Sequence, residues 1–352
     1  MTGYTLLFLY AGSIIWQDGV FTMRYFQAIP EYLYFALRFF FLPFMILVVG
    51  KVLFELLAFN FFDLAPVQQA SVIDKTSVAV KLNEMKARLL WIASVLVYVL
   101  ITMGFGVFIW DTLRNSIAKS ALRVFVFLAM TIVTVEAYYL LNVAPSESPI
   151  KSIFSFTFDS LSSSGLFTIN QLFLIHITLD IINFIALLIV PFGIISGCCI
   201  MHKIPITLYK DAGYYLDRSQ QLKKLITGGS AVMVIGIIHM QLWLNWPLIF
   251  LDESKELAQL KEVVQLVCQY WGVSYSLIIA SLYLPAASYL SNQARLALLQ
   301  GSNKELKKDP SIWLIKNKMV FSPIASFSQI ITVIAPMLAG TFSSSLTEIL
   351  FS

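Results

Sequence analysis

Long runs of apolar residues, interrupted by few charges, dominate the chain. Two of these runs, residues 89–110 and 229–251, contain no charged residue at all. Because an α-helix rises about 1.5 Å per residue, roughly 20 apolar residues cross the hydrocarbon core of a bilayer. Seven runs are therefore predicted to be membrane spans: 33–59, 89–110, 121–142, 170–201, 229–251, 264–290 and 319–345.

The form of these runs predicts an all-α, polytopic transmembrane bundle. Only helices or closed β-barrels satisfy the backbone in lipid, and long runs without strict alternation exclude a barrel. With 58% hydrophobic and 12% charged residues, residues 1–352 are predicted to form a single integral membrane domain with about 7–9 embedded helices. Prolines within the runs, such as Pro191 and Pro336, predict kinked spans.

Basic residues are concentrated in three segments, which divides the chain. The N-terminal hydrophobic segments (1–59) are followed by a basic amphipathic loop at 60–88, and the central helices (89–201) by a second basic loop at 202–228. A helical hairpin (229–290), a third basic loop (291–318) and a last span (319–345) complete the order. Basic loops favour the cytoplasmic side.

The three basic loops cannot all be cytoplasmic if the spans are simply counted. One solution lets residues 151–169 cross as a weak additional span, which gives eight crossings and is the arrangement that we prefer. The other makes 151–169 a re-entrant segment and places 60–88 on the outer side. Charge counting alone does not decide between them.

His176 and Asp180 are the most informative polar residues within a span. Their i, i+4 spacing places both on one helix face, and ionisable residues in a span usually face protein or an aqueous cavity. The pair fits a satisfied polar contact between helices, a proton or ion relay or a metal site. A metal site would need further ligands, and no HExxH pattern supplies them.

A possible pore loop precedes this pair at residues 147–169. Residues 149–159 fit a short amphipathic helix, the hydroxyl-rich turn 160–165 follows, and a long helix starts near Asn170. This order resembles, in outline, the pore region of tetrameric cation channels. The Thr-Val-Gly-Tyr-Gly filter is absent, so the resemblance does not extend to potassium selectivity.

The leading functional hypothesis is a channel or transporter-like conduit for ions or small solutes, assembled as a homo-oligomer in a bacterial inner (plasma) membrane. Its polar lining would consist of Glu136, Asp159, Ser162, Ser163, Ser164, Gly165, His176, Asp180 and Asn183.

The alternative is a ligand-regulated membrane effector or receptor subunit. Its basic cytoplasmic loops would bind an anionic ligand, a lipid headgroup or a protein partner, and its bundle would respond, for instance by permeabilising the membrane. The basic residues are Lys203, Lys210, Arg218, Lys223, Lys224, Arg295, Lys304, Lys307 and Lys308.

A membrane-embedded lipid-modifying enzyme ranks third, since only His176, Asp180 and His239 favour it. The sequence shows no Walker loop, GxGxxG or GxSxG motif, and we expect no resident metal or cofactor. No nucleic-acid-binding fold accompanies the basic residues, so we do not expect duplex binding. Cys198, Cys199 and Cys268 are interpreted as small packing residues.

Overall fold

The computed structural model describes residues 31–58, 77–116, 119–142, 148–201, 211–249, 255–300, 309–319 and 327–351. Throughout these ranges the regular structure is helical, as predicted. The nine helices of the described ranges are α1 (Glu31–Ala58), α2 (Val78–Ser116), α3 (Lys119–Asn142), α4 (Pro149–Ser163), α5 (Ile169–Ile200), α6 (Ala212–Asn245), α7 (Lys255–Gln300), α8 (Pro310–Lys316) and α9 (Phe327–Phe351). A 3-10 turn, Trp246–Ile249, extends α6.

Four helices of the described part are long and apolar enough to cross a membrane, which is consistent with a membrane protein. They are Val78–Asn115, Ile169–Ile200, Ala212–Leu248 and Ala258–Gln300. A shorter apolar segment, Phe327–Phe342, lies in α9. The predicted total of 7–9 embedded helices is therefore not confirmed.

Contacts along α2 and α6 show that the two helices run antiparallel. Trp91, near the start of α2, packs against Trp243 near the end of α6, with ring centroids 5.6 Å apart. Further along α2, Phe105 lies against Gly228. We call the side of the bundle with Trp91, Trp243 and Trp246 the tryptophan end. The opposite side, where α6 begins, α7 ends and α8 lies, is the basic end.

Helix α4 lies at the tryptophan end and is only 15 residues long, shorter than the ~20 residues of a span. Ser148 caps it and Pro149 follows at its first turn, a combination that favours helix initiation. Its buried Ile153 and Phe156 belong to the same apolar cluster as Trp243. The shortness of α4 and its position at the tryptophan end support the re-entrant arrangement of residues 151–169. In that arrangement, α2 and α6 start at opposite ends of the bundle.

Helices α7 and α9 are in backbone contact. A Cβ on Gly272 would lie 2.6 Å from the carbonyl oxygen of Pro336, and one on Gly340 would lie 2.5 Å from that of Cys268. Both distances are shorter than real Cβ contacts, so only glycine permits this approach. The small residues of these helices therefore fix a close crossing, as is common in membrane bundles.

Proline 336 leaves a backbone acceptor in α9 without its intrahelical donor, and α6 supplies a substitute. A proline has no N–H, so the carbonyl four residues earlier, that of Thr332, loses its helical partner. The Ser230 hydroxyl donates to this oxygen at 2.7 Å. The next amide, that of Met337, donates to Ser276 Oγ of α7 at 3.0 Å. Both neighbouring helices thus supply hydrogen-bond partners to α9 around Pro336.

The Gly193-x3-Gly197 motif of α5 packs within the chain. A Cβ on Gly193 would lie 3.6 Å from Phe105 of α2, and one on Gly197 would come within 2.8 Å of Leu282 of α7. The motif therefore mediates packing among α2, α5 and α7.

Candidate functional site: a basic cavity between α6, α7 and α8

His176 and Asp180 are in contact, as their spacing predicts, but on the outside of the bundle. His176 Nε2 and Asp180 Oδ2 are 3.6 Å apart, and the two side chains are 59% and 66% exposed. Phe158 of α4 flanks the imidazole at 5.4 Å. Their surface neighbours are apolar: Phe173, Ile177 and Phe184 are exposed too. This face carries two ionisable groups in a helix that otherwise suits lipid.

The other residues of the predicted lining do not converge on an internal passage of this single chain. Asp159, Ser162, Ser163 and Asn183 are exposed, and Ser164 is buried. The Ser162, Ser163 and Ser164 hydroxyls donate to carbonyls of their own helix, and Gly165 adopts a φ of 67°.

Although Asp159 is exposed, partial desolvation by neighbouring atoms raises the pKa of its carboxyl. Glu136 belongs to α3, but its side chain lies outside the described residues. Apart from the buried Ser164, the described residues of the predicted lining therefore lie on an outer surface.

His239 is separate from the exterior pair. Its Nδ1 lies 3.0 Å from Ser94 Oγ, which donates its own proton to the Trp91 carbonyl, so Nδ1 is the donor to serine. The imidazole is buried among aromatic rings at the tryptophan end. The three residues that favoured a lipid-modifying enzyme are thus not brought together.

A cavity of about 850 Å³ opens between α6, α7 and α8 at the basic end. Its cationic lining comes from three separate elements: Lys223 of α6, Arg295 of α7 and Lys318 just after α8. Hydroxyl and amide groups add polar atoms to the wall, and the described lining contains no Asp or Glu. The polar residues are Ser219, Tyr283, Ser288, Tyr289, Ser291, Asn292 and Ser311.

The turn after α8 presents Lys318 to this cavity in an unusual backbone conformation. Asp309 caps the start of α8, where Pro310 follows. At its end, the amides of Lys318 and Met319 donate to the carbonyls of Ile315 and Leu314, the pattern of a Schellman motif. Lys318 occupies the left-handed position, with a φ of 53°. Glycine is usual there, because a Cβ is costly in this conformation.

Lys223 connects α6 to this turn. Its ammonium donates to the Lys318 carbonyl oxygen at 2.8 Å, while the positive charge of the Lys318 side chain opposes its own. The half-buried Lys223 thus faces a second cation of like charge. An anion in the cavity would relieve this repulsion, because opposite charges at short range attract.

The structure divides the basic residues that the sequence singled out. Lys223 and Arg295 line the cavity, whereas Lys224 is exposed and not part of its lining. Arg218 contacts its own helix: its Nε donates to the Tyr214 hydroxyl at 3.0 Å. Lys203, Lys210, Lys304, Lys307 and Lys308 lie outside the described residues.

Sequence reasoning missed Lys318 as a site residue. The available signal was its position in the basic segment 291–318, directly after the capped helix that Asp309-Pro310 begins. Such a helix directs the residues beyond its end back to the bundle, but the sequence gives no indication of the left-handed turn.

The arrangement can bind an anion but lacks the groups for metal chemistry. Lysine and arginine donors with surrounding hydroxyls suit the oxygens of a phosphate group. The volume lies within the 300–1,000 Å³ that is typical of ligand pockets. In the part of the chain that the structure describes, no three His, Cys, Asp or Glu side chains are grouped to hold a metal ion.

No family model, no curated protein and no solved structure matches this chain.

Proposed function

We propose that the protein is a membrane effector whose helical bundle is regulated by a phosphate-bearing anion bound in the basic cavity. The observation that carries this proposal is the meeting of Lys223, Arg295 and Lys318 at one cavity of about 850 Å³, with no acidic residue in its described lining. Cations at a surface normally have anionic neighbours or open solvent around them. Their concentration around a concave site favours binding of an external anion.

The Lys223–Lys318 contact gives the bound anion a way to act on the bundle. Lys223 joins α6 to the turn after α8. An anion that attracts both ammonium groups changes the strength of this connection, and α6 packs against α7 and α9. Occupancy of the cavity would thus bias the packing of the core helices, which is the requirement for a ligand-driven shift.

Composition supports an inner, or plasma, membrane of a bacterium as the location. Helical bundles occupy such membranes, whereas proteins of the bacterial outer membrane are typically barrels. The basic end would face the cytoplasm, because basic segments are retained on that side. The cavity would then meet cytoplasmic anions and the anionic headgroups of the inner leaflet.

Thermal unfolding in nanodiscs tests the proposal. The full chain is reconstituted in phosphatidylcholine, and the unfolding midpoint is measured by tryptophan fluorescence after adding pyrophosphate or, separately, replacing part of the lipid with phosphatidylglycerol. At least one addition should raise the midpoint of the wild type but not that of the triple variant Lys223→Gln, Arg295→Gln, Lys318→Gln. Equal responses of the two proteins, or none in the wild type, would exclude regulation through this cavity.

A second candidate function is the oligomeric conduit, and the outer face of α5 favours it. An ionised carboxylate near the bilayer centre costs about 2.5–3.5 kcal/mol on insertion scales. Asp180 and His176 would avoid this cost if other copies of the chain covered the face and enclosed a hydrated path. The channel and the homo-oligomer are therefore proposed together, and the exposed pair is the observation that favours them.

Ion flux tests the conduit. Liposomes with the wild-type protein should pass monovalent cations, and the double variant Asp180→Asn, Glu136→Gln should reduce the flux at least tenfold. Asp111→Asn is the matched control. Asp111 is exposed near the C-terminal end of α2, and its carboxylate accepts a hydrogen bond from the Asn115 side chain. Full flux through the double variant would exclude this lining.

A further inference from the structure

The basic cavity changes character along α7. Arg295, Asn292 and Ser291 lie towards the end of the helix, and Leu284 and Ala287 lie earlier along it. At about 1.5 Å per residue, Leu284 and Arg295 are roughly 16 Å apart along the helix. A ligand that fills the cavity would therefore touch cationic groups at one end and an apolar surface at the other.

The apolar part of the wall is open to the side of the bundle. Leu284 is 44% exposed and Ile315 59% exposed, and Ile312 of α8 is exposed beside them. Contact with water is unfavourable for such apolar side chains at the edge of a membrane span, whereas contact with acyl chains is favourable. The opening thus suits a ligand that arrives from the bilayer.

Short helix α8 resembles an interfacial element in its exposure pattern. Ile312 and Ile315 are exposed on the outside, while Leu314 is buried against the bundle. Lys316 and Lys318 stand beside these residues and are exposed. Apolar and basic side chains together favour the headgroup region of an anionic membrane.

Combining these features, we infer that the occupant of the basic cavity is an anionic phospholipid. Its phosphate would contact Lys223, Arg295 and Lys318, and its acyl chains would lie against Leu284 and Ile315. The inference rests on the proposed function and narrows it, because the same three cations could also bind a soluble phosphate. The apolar wall favours the lipid as the source of that phosphate.

Spin-labelled lipids test the inference directly. The full chain is placed in phosphatidylcholine nanodiscs with a trace of spin-labelled phosphatidylglycerol or spin-labelled phosphatidylcholine, and the immobilised fraction is measured by electron paramagnetic resonance. The wild type should prefer phosphatidylglycerol. Arg295 and Lys223 would each donate a charge-assisted hydrogen bond to the phosphate, so Arg295→Gln and Lys223→Gln should each reduce the preference about fivefold or more.

Lys224→Gln is the matched control for general surface charge. It removes one positive charge next to Lys223 but from outside the cavity lining, so the preference should stay as in the wild type. An equal loss in Lys224→Gln and Arg295→Gln would overturn the inference. If Arg295→Gln unfolded, Lys318→Gly would replace it, since glycine suits the backbone at that position.

Added pyrophosphate separates the two sources of phosphate. If the wild type shows no lipid preference but pyrophosphate raises its unfolding midpoint, the lipid is excluded and the proposed function stands. If neither ligand has an effect, both the lipid inference and the proposed function are refuted. The inference requires that the wild type keeps its preference for phosphatidylglycerol in the presence of millimolar pyrophosphate.

Discussion

The ammonium of Lys223 and the backbone carbonyl oxygen of Lys318 are 2.8 Å apart and join α6 to the turn after α8. The accepting residue adopts a left-handed conformation, with a φ of 53°. A lysine in this position is disfavoured by about 1–2 kcal/mol, yet its side chain lies at the cavity. Backbone strain that persists beside a cleft is frequently connected with function.

Lys318→Gly separates stability from anion binding. Glycine tolerates the left-handed conformation, so the free energy of unfolding should stay unchanged or rise by about 1 kcal/mol. The variant also lacks one of the three cavity cations, so its preference for phosphatidylglycerol should fall about fivefold. Denaturant titration and the spin-label measurement check the two effects. A destabilised variant with unchanged lipid preference would show that Lys318 has a purely structural role.

Ser230→Ala should destabilise the bundle by about 1–3 kcal/mol. The Thr332 carbonyl would lose the donor that replaces the missing N–H of Pro336, and an unpaired buried acceptor costs about this much. Thr227→Ala is the control, since Thr227 is exposed and bonds only within its own helix, to the Lys223 carbonyl. Unfolding in mixed micelles measures both variants, and equal stability of the two would refute the role assigned to Ser230.

Gly272→Ala and Gly104→Ala should have opposite effects. A Cβ at position 272 would lie 2.6 Å from the Pro336 carbonyl oxygen, whereas one at position 104 meets nothing within 4 Å. Overpacking costs about 1–3 kcal/mol, so the first variant should unfold more easily. The second should gain up to about 1 kcal/mol from its better helix propensity. Thermal unfolding checks the sign of each change, and a neutral Gly272→Ala would contradict the close crossing of α7 and α9.

Cysteine labelling tests the arrangement of α4. Ser163 and Lys86 belong to helices that meet at the tryptophan end, whereas Asn292 and Lys224 lie at the basic end. A membrane-impermeant maleimide should therefore label Ser163→Cys and Lys86→Cys from one side of sealed vesicles and Asn292→Cys and Lys224→Cys from the other.

The native cysteines serve as a silent background in this labelling, because all three are buried. The wild type should accordingly remain unlabelled until it is unfolded. Labelling of Lys86→Cys from the same side as Asn292→Cys, with Ser163→Cys still labelled from the opposite side, would instead support eight crossings, with residues 151–169 as a complete span.

Hydrophobicity predicted the helices well but not their extent. The run 89–110 marks only the middle of α2, which begins at Val78 and ends at Ser116. Its polar first turns are supported by pairs such as Arg88 Nε and Glu84 Oε1, 2.8 Å apart. The length of an apolar run indicates which residues suit the hydrocarbon core. The helix itself continues beyond the run wherever hydrogen bonds and side-chain pairs support it.

The spacing of His176 and Asp180 predicted their pairing but not the direction in which they point. Helix α5 is apolar on all sides, so its sequence contains no periodic signal for the buried face. Which side faces the bundle is decided by contacts distant in sequence, such as Gly197 against Leu282. For the same reason the outward position of Asp180 could not be predicted.

The basic cavity was predictable only in part. Charge clustering drew attention to Lys223 and Arg295, which are 72 positions apart and line the same cavity because α6 and α7 form an antiparallel pair. The placement of Lys318 at the cavity depends on a Schellman turn. Such turns usually have glycine at this position, whereas this chain has lysine. Backbone conformation, rather than residue type, brings it to the site.

The phosphatidylglycerol preference of Arg295→Gln, compared with that of Lys224→Gln, tests the assignment of the basic cavity most directly. Both variants lose one positive charge at the same end of the bundle, but only Arg295 lines the cavity. We expect about a fivefold loss of preference in Arg295→Gln and none in Lys224→Gln. Equal preferences in the two variants would show that the cavity does not bind the phosphate.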